Sequence, residues 1–140
     1  MTDAKPLLTY EIVDGITVGT VTGTSMLDQT TVSDFGHQAV AYVSDKPGLR
    51  LLLNFKNVAY MTSQGLTELL RIADALKKTA GTVRVCNVAP EIYRVFKITN
   101  LDGMFSVYER EEVASAVRRY NRALAVAADE KAWAGEDAGR

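Results

Sequence analysis

The sequence predicts an α/β domain, a mixed sheet of four to five strands that opens with a hairpin and carries its helices mainly on one face. Three observations lead there. Leu8, Tyr10 and Ile12 alternate with Thr9 and Glu11, and Asp14-Gly15 separates them from Ile16-Thr17-Val18, the pattern of two antiparallel strands joined by a two-residue turn. Further on, short apolar runs alternate with segments of helical period, as successive right-handed crossovers between neighbouring parallel strands require. A chain of 140 residues, 47% hydrophobic and 24% charged, buries one core and is too short for two.

The elements follow in order. Gly19 interrupts the alternation of the second strand, so that Val21 falls out of step with Ile16 and Val18, and a bulge is expected there. Asp28 is placed to cap a helix in which Val32, Phe35, Ala39, Tyr42 and Val43 recur at helical spacing until Lys46-Pro47-Gly48 stops it. Leu49-Arg50-Leu51-Leu52-Leu53-Asn54-Phe55 is nearly continuous in apolar side chains, the mark of a strand at the sheet centre. Leu66, Leu69, Leu70, Ala73 and Leu76 form one stripe of the next helix and Glu68, Arg71, Asp74, Lys77 and Lys78 the other; Thr62 or Ser63 caps its start, and Gly81 is expected in the left-handed conformation past its end. Val83-Arg84-Val85-Cys86 reads as a strand, Pro90 as the first position of a short helix carrying Ile92, Val95 and Phe96, and Phe105-Ser106-Val107 as a short final strand. A closing helix from Glu111 is marked by Val113, Val117, Tyr120 and Leu124, with Arg118, Arg119 and Arg122 outside. The domain thus runs from 7 to 124, and residues 125–140, rich in Ala, Gly, Asp and Glu with Trp133 the one large apolar residue besides Val126, read as a frayed tail.

Composition narrows the function classes. A formal net charge of −1 without a basic block gives no general attraction to nucleic acid. The start, Met1-Thr2-Asp3-Ala4-Lys5-Pro6, lacks the pattern of a secretory leader, and no apolar run approaches membrane-spanning length, so direct membrane insertion is not expected and a cytoplasmic location is. One cysteine, Cys86, and one histidine, His37, build neither an internal disulfide nor an ordinary Cys/His metal site. No convergent acid pair or phosphate-binding glycine-lysine loop accompanies them, so no enzyme is recognisable and no cofactor is expected. Asp102, Glu111 and Glu112 fall around a turn and a helix start, where carboxylates favour the helix dipole.

One stretch carries more. Leu51-Leu52-Leu53-Asn54-Phe55, then Val58-Ala59-Tyr60-Met61-Thr62-Ser63-Gln64-Gly65-Leu66, resembles the STAS family of anti-sigma factor antagonists, in which a central strand ends in Asp and an Asp-Ser-Ser-Gly-Leu stretch opens a helix. Asn87-Val88-Ala89-Pro90, Asn100-Leu101-Asp102-Gly103-Met104-Phe105 and Glu111-Glu112-Val113-Ala114 look like the family's second half, so the resemblance spans Leu7 to Tyr120. It implies a single STAS-like domain acting as a protein-binding regulator. In the family, the hydroxyl after the motif's Asp is phosphorylated by a partner kinase that is itself the anti-sigma factor. By position that residue is Ser63, with Thr62 as the alternative acceptor. Thr62 stands where the motif has Asp, and Asn54 where the central strand ends in Asp.

The residues make physical sense of such a switch. Unpaired N–H groups at a helix start suit an anion on the hydroxyl, and a phosphate there adds about −1.5 to −2 charges to an exposed turn. The expected partner surface is Tyr60, Met61, Thr62, Ser63, Gln64 and Gly65, and the expected partner an anti-sigma factor or serine kinase that binds the unmodified turn. Two other readings stay open from sequence: Ser63 as a plain helix cap, and a non-switching STAS subunit of a membrane transport complex, such as a phospholipid transporter, whose partners would be its ATPase or permease. Tyr60 and Met61 serve either as contact surface or as a staple to the core, and Gly65 permits close backbone approach.

Overall fold

The computed structural model describes residues 6–138, residue 109 excepted. Strands β1 (Leu8–Val13) and β2 (Ile16–Val21) form the expected hairpin, with Asp14 and Gly15 both at positive φ, 49° and 82°, as a turn matched to strand twist requires. Their pairing runs without interruption from Leu8 opposite Val21 to Val13 opposite Ile16, so there is no bulge at Gly19. The change of step has another cause. β2 is an inner strand buried on both faces, and Thr17, Gly19 and Val21 pack on one side while Ile16 and Val18 pack on the other. Gly19 makes room for the Tyr10 ring opposite: a Cβ there would lie 2.9 Å from Tyr10 Cε1.

After the two-residue strand β3 (Met26–Leu27), helix α1 (Val32–Ser44) leads to β4 (Arg50–Asn54), a second two-residue strand β5 (Tyr60–Met61), α2 (Ser63–Lys78), β6 (Thr82–Cys86), α3 (Pro90–Ile98) and α4 (Val113–Ala138). The main sheet has the order β1-β2-β4-β6, antiparallel at the hairpin and parallel elsewhere, with β4 inside as its apolar run predicts. α1, α2 and α3 cover one face, where Phe35, Leu51, Leu53, Phe55, Leu69, Ile72 and Phe96 are fully buried. Among the described residues α4 covers the other, setting Ala116, Val117 and Tyr120 against Ile16, Val18, Leu52 and Cys86.

Four local readings are corrected. Gly81 is not left-handed; Ala80 takes that conformation at φ 61°, the Gly81 amide closes the end of α2 on the Leu76 carbonyl at 2.7 Å, and a Cβ on Gly81 would press on the Leu49 carbonyl. Phe105–Val107 is not a strand. Ser106 has φ 50° and the Val107 amide turns back to the Asp102 carbonyl, so the segment coils, although the Val85 amide still donates to the Phe105 carbonyl at 3.1 Å and the sheet edge is covered. Arg119 is not on the outer side of α4: its guanidinium donates to Glu111 Oε2 at 3.0 Å and to the Ser106 carbonyl at 2.9 Å and lies over the Tyr108 ring, so Glu111 is an ion-pair partner and not a cap. Finally, α4 continues as helix past residue 124 through Ala138, where a frayed tail is expected from sequence; residues 125–131 are all exposed, and the side chain of Trp133 lies outside the described residues.

Burial sets an alkaline limit to stability. Desolvation, with a smaller contribution from the Glu111 charge, pushes the Cys86 thiol from its ordinary 9.0 up to about 12, and desolvation likewise pushes the Tyr120 hydroxyl from 10.0 up to about 12. The unfolded chain releases these protons near its ordinary values while the folded chain holds them. Stability is therefore full below pH 9 and falls as pH rises from 9.0 through about 12. Each group contributes up to about 1.4 kcal/mol per pH unit in its window. Denaturant midpoints should fall steadily above pH 9, and Cys86→Ala should flatten the first part of that fall. An unchanged slope would contradict the burial argument.

Candidate functional site

The turn that opens α2 is held by a clasp that the sequence reading does not contain. β3 pairs with β5 in parallel, Met26 beside Tyr60 and Leu27 beside Met61. The Ala59 amide donates to the Ser25 carbonyl at 2.8 Å and the Thr62 amide to the Leu27 carbonyl at 3.0 Å. The strand entering α1 thus fixes the backbone just before α2. Two residues per strand leave no period to detect, which is why neither appears in a sequence pattern.

Within the turn, exposure sorts the six residues singled out by sequence. Tyr60 is 51% exposed, and Ser63 and Gln64 are exposed, whereas Met61 is 8% exposed, Gly65 is buried and Thr62 is half-buried. Tyr60 and Met61 therefore divide the two roles between them, surface for the first and staple for the second. Gly65 serves Met61: a Cβ at residue 65 would collide with Met61 Cγ and lie 2.7 Å from its Sδ. Gly65→Ala should accordingly destabilise the fold by about 1–3 kcal/mol despite the better helix propensity of alanine. Adding Met61→Ala should give less than the sum of the two single losses; additive losses in denaturant unfolding would refute the contact.

Thr62 is the N-cap residue, extended at φ −81° and ψ 169°, and its side chain makes no capping hydrogen bond. Its hydroxyl faces the Leu27 carbonyl at 3.4 Å. Ser63 is the first residue of α2 itself, and the first turn contains no acidic side chain, so nothing on the helix offsets the partial positive charge of its start. The carboxylate of Asp28 lies across a shallow depression lined by Gln29, Thr30, Tyr60 and Thr62. Hydrogen bonds from the Thr30 hydroxyl at 2.8 Å and the Thr30 amide at 3.0 Å hold Asp28 below the usual carboxylate range. Tyr60 also lines a second groove, with Ala59, Met61, Glu91, Ile92 and Val95, so it borders two concavities. Asp28, Gln29 and Thr30 join the site only through the clasp; their sequence signal is that of a helix cap.

Asn54, at the position where a carboxylate is expected, braces the strand ends. It is 3% exposed, its amide donates to Thr20 Oγ1 at 3.2 Å, and its Oδ1 accepts from the Lys56 amide at 3.2 Å and from Asn87 Nδ2 at 2.8 Å. This ties β2, β4 and the end of β6 together at the root of the loop leading to the turn.

With this geometry in hand, the chain matches the family model for the STAS domain over residues 8–114. The chain belongs to the STAS domain family. Among proteins of known name, this STAS domain is 27% identical over 109 residues to one named as an anti-sigma factor antagonist, BtrV of Bordetella bronchiseptica, covering 78% of this chain and 91% of that one. An anti-sigma factor antagonist from Mycobacterium paratuberculosis has a similar structure, with a TM-score of 0.66 at 26% identity over 81% of this chain and 92% of that one. The anti-sigma factor antagonist SpoIIAA in its unphosphorylated form has the same fold, with a TM-score of 0.66 at 20% identity over 81% of this chain and 96% of that one; the phosphorylated form from Bacillus gives 0.59 over 80% and 97%. The fold and the family expected from the Leu51–Leu66 stretch are thus those of the molecule. Among the described residues, no helix of this STAS domain is long and apolar enough to cross a membrane.

Proposed function

We propose that this STAS domain is a switchable docking module: unmodified, it binds an anti-sigma factor or related serine-kinase regulator through the turn at Ser63 and the exposed face of α2, and phosphate on Ser63 ends the complex. The observation that carries the reading is the exposed hydroxyl of Ser63 on the first residue of a helix whose opening turn has no acidic side chain. Such a position tolerates an added anion within the fold while presenting it to whatever docks there. Thr62 is the weaker candidate acceptor, being half-buried with its hydroxyl against the Leu27 carbonyl. Tyr60 supplies an amphipathic ring of the type that anchors interfaces, while Met61 and Gly65 shape the turn from beneath. The names of BtrV and SpoIIAA agree in pointing to anti-sigma partners, and SpoIIAA is itself known in a phosphorylated form. ATP and magnesium, in this reading, belong to the kinase.

The test is affinity purification of the protein from its host, with mass spectrometry of the co-purifying chains and of the peptide containing Thr62 and Ser63. A kinase of the anti-sigma type together with phosphate on Ser63 supports the proposal. Recovery of a transporter ATPase or permease with an unmodified peptide overturns it, as does a kinase that labels wild type and Ser63→Ala equally.

A further inference from the structure

The family match ends at residue 114, one residue after α4 begins, and the second half of that helix does something the domain core does not require. Residues 125–138 extend the helix by about 21 Å at 1.5 Å per residue, and those described in side-chain detail, 125–131, are all exposed. An isolated segment of this length is marginal as a helix in water, and Gly135 costs it about 1 kcal/mol more.

The charges make matters worse for a lone helix. Residues 113–124 contain three arginines and no carboxylate, and residues 125–138 contain Asp129, Glu130, Glu136 and Asp137 against one lysine. Glu136 and Asp137, in the last turn, oppose the macrodipole. Within α4 no pair of opposite charges lies at a spacing of three or four residues, while Arg118 and Arg122 are like charges at a spacing of four. Arg122, Ala123, Val126, Ala127 and Glu130 line one shallow trough that the inward-held Arg119 closes at one end, with Val126 53% exposed between the two small alanines.

A partner that relieves all of this is another helix of the same charge order running the opposite way. We infer that α4 is a self-association element, pairing antiparallel with α4 of a second copy of this chain about a two-fold axis at Val126. In that register Arg122 of each copy faces Glu130 of the other, because both lie four residues from the axis. The macrodipoles then oppose, the alanines allow close approach, and the contact is isologous and closed. The contact is confined to the exposed stripe of one helix per copy, so the dimer should be weak and reversible. The inference does not depend on the role of Ser63.

Sedimentation equilibrium of the full chain over a wide concentration range tests it. Wild type should move from one chain towards two as concentration rises, and Val126→Asp, which places two carboxylates on the axis, should remain single throughout. Arg122→Glu and Glu130→Arg should each raise the dissociation constant about tenfold, since each disrupts two symmetric pairs, and the double exchange Arg122→Glu with Glu130→Arg should restore association. A wild type that stays single at every concentration overturns the inference. So does a dimer indifferent to Val126→Asp, or a double exchange that binds no better than the single variants.

Discussion

Phosphate on Ser63 is expected to lower affinity for the docked regulator by several hundred-fold, while Ser63→Ala leaves it within about threefold of wild type. The asymmetry follows from what each change does at the same place. Ser63 is exposed, so loss of its hydroxyl empties little space and breaks no bond within the fold. A phosphate brings about −1.5 to −2 charges and three strong acceptor oxygens into a surface that a partner has matched to a neutral group, and repulsion plus desolvation of about 3–4 kcal/mol produces the stated loss. The fold itself should be spared, because the start of α2 has no acidic side chain to repel the anion. Titration calorimetry of the captured regulator against unmodified, phosphorylated and Ser63→Ala protein reads the three affinities, and thermal unfolding of the same samples reads the fold. Equal affinity for the phosphorylated and unmodified forms would remove the switch from the mechanism.

Phe55→Ala is expected to cost about 3–5 kcal/mol of stability. The ring is fully buried just past the end of β4, edge-on to Phe35 of α1 with centroids 6.2 Å apart and planes at 74°. Its backbone is also committed, donating to the Cys86 carbonyl at 3.0 Å and accepting from the Val58 amide at 2.9 Å, so the site cannot collapse freely to fill the void. At roughly 4 °C per kcal/mol for a domain of this size, the melting temperature should drop by about 12–20 °C. Ile12→Ala is the matching control: its side chain is 76% exposed on the edge strand, and its loss should stay within about 0.5 kcal/mol. Similar losses for the two variants would mean that the core is not centred where β4 meets α1.

What the sequence reveals here is what short-range chemistry decides. Asp14-Gly15 specifies a turn because only such residues accept two successive positive φ angles, and the α2 stripe specifies a helix because its apolar spacing repeats over about three turns, although its face is misread in part: Ile72 is fully buried where Leu70 is 39% exposed, and Glu68, placed by spacing on the outer side, is 3% exposed. The family motif led to Ser63, which lies exposed as the first residue of α2. The misreadings have a common origin in distant contacts. Val21 is out of step because α4, more than ninety residues away in sequence, buries the second face of β2, and local alternation cannot register that. Phe105 and Val107 look like a strand because both are apolar and buried, yet their burial comes from a coil packed under α3 and across the edge of β6. Arg119 reads as a surface charge until Glu111 and Tyr108 close over it. The depression at Asp28, Gln29 and Thr30 becomes part of the site only when Met26 and Leu27 meet Tyr60 and Met61.

That meeting of four residues ties the doorstep of α2 to the doorstep of α1. Leu27 and Thr62 are 35 positions apart along the chain, yet one amide and one carbonyl bind them, and the next tie is between Ser25 and Ala59. A visitor that grips Tyr60 therefore tugs on the approach to α1 as well, and any loosening at one threshold is shared by the other. The Thr62 amide is the gauge of this linkage: sheltered from deuterium while the fastening is shut, it exchanges as soon as the two thresholds part.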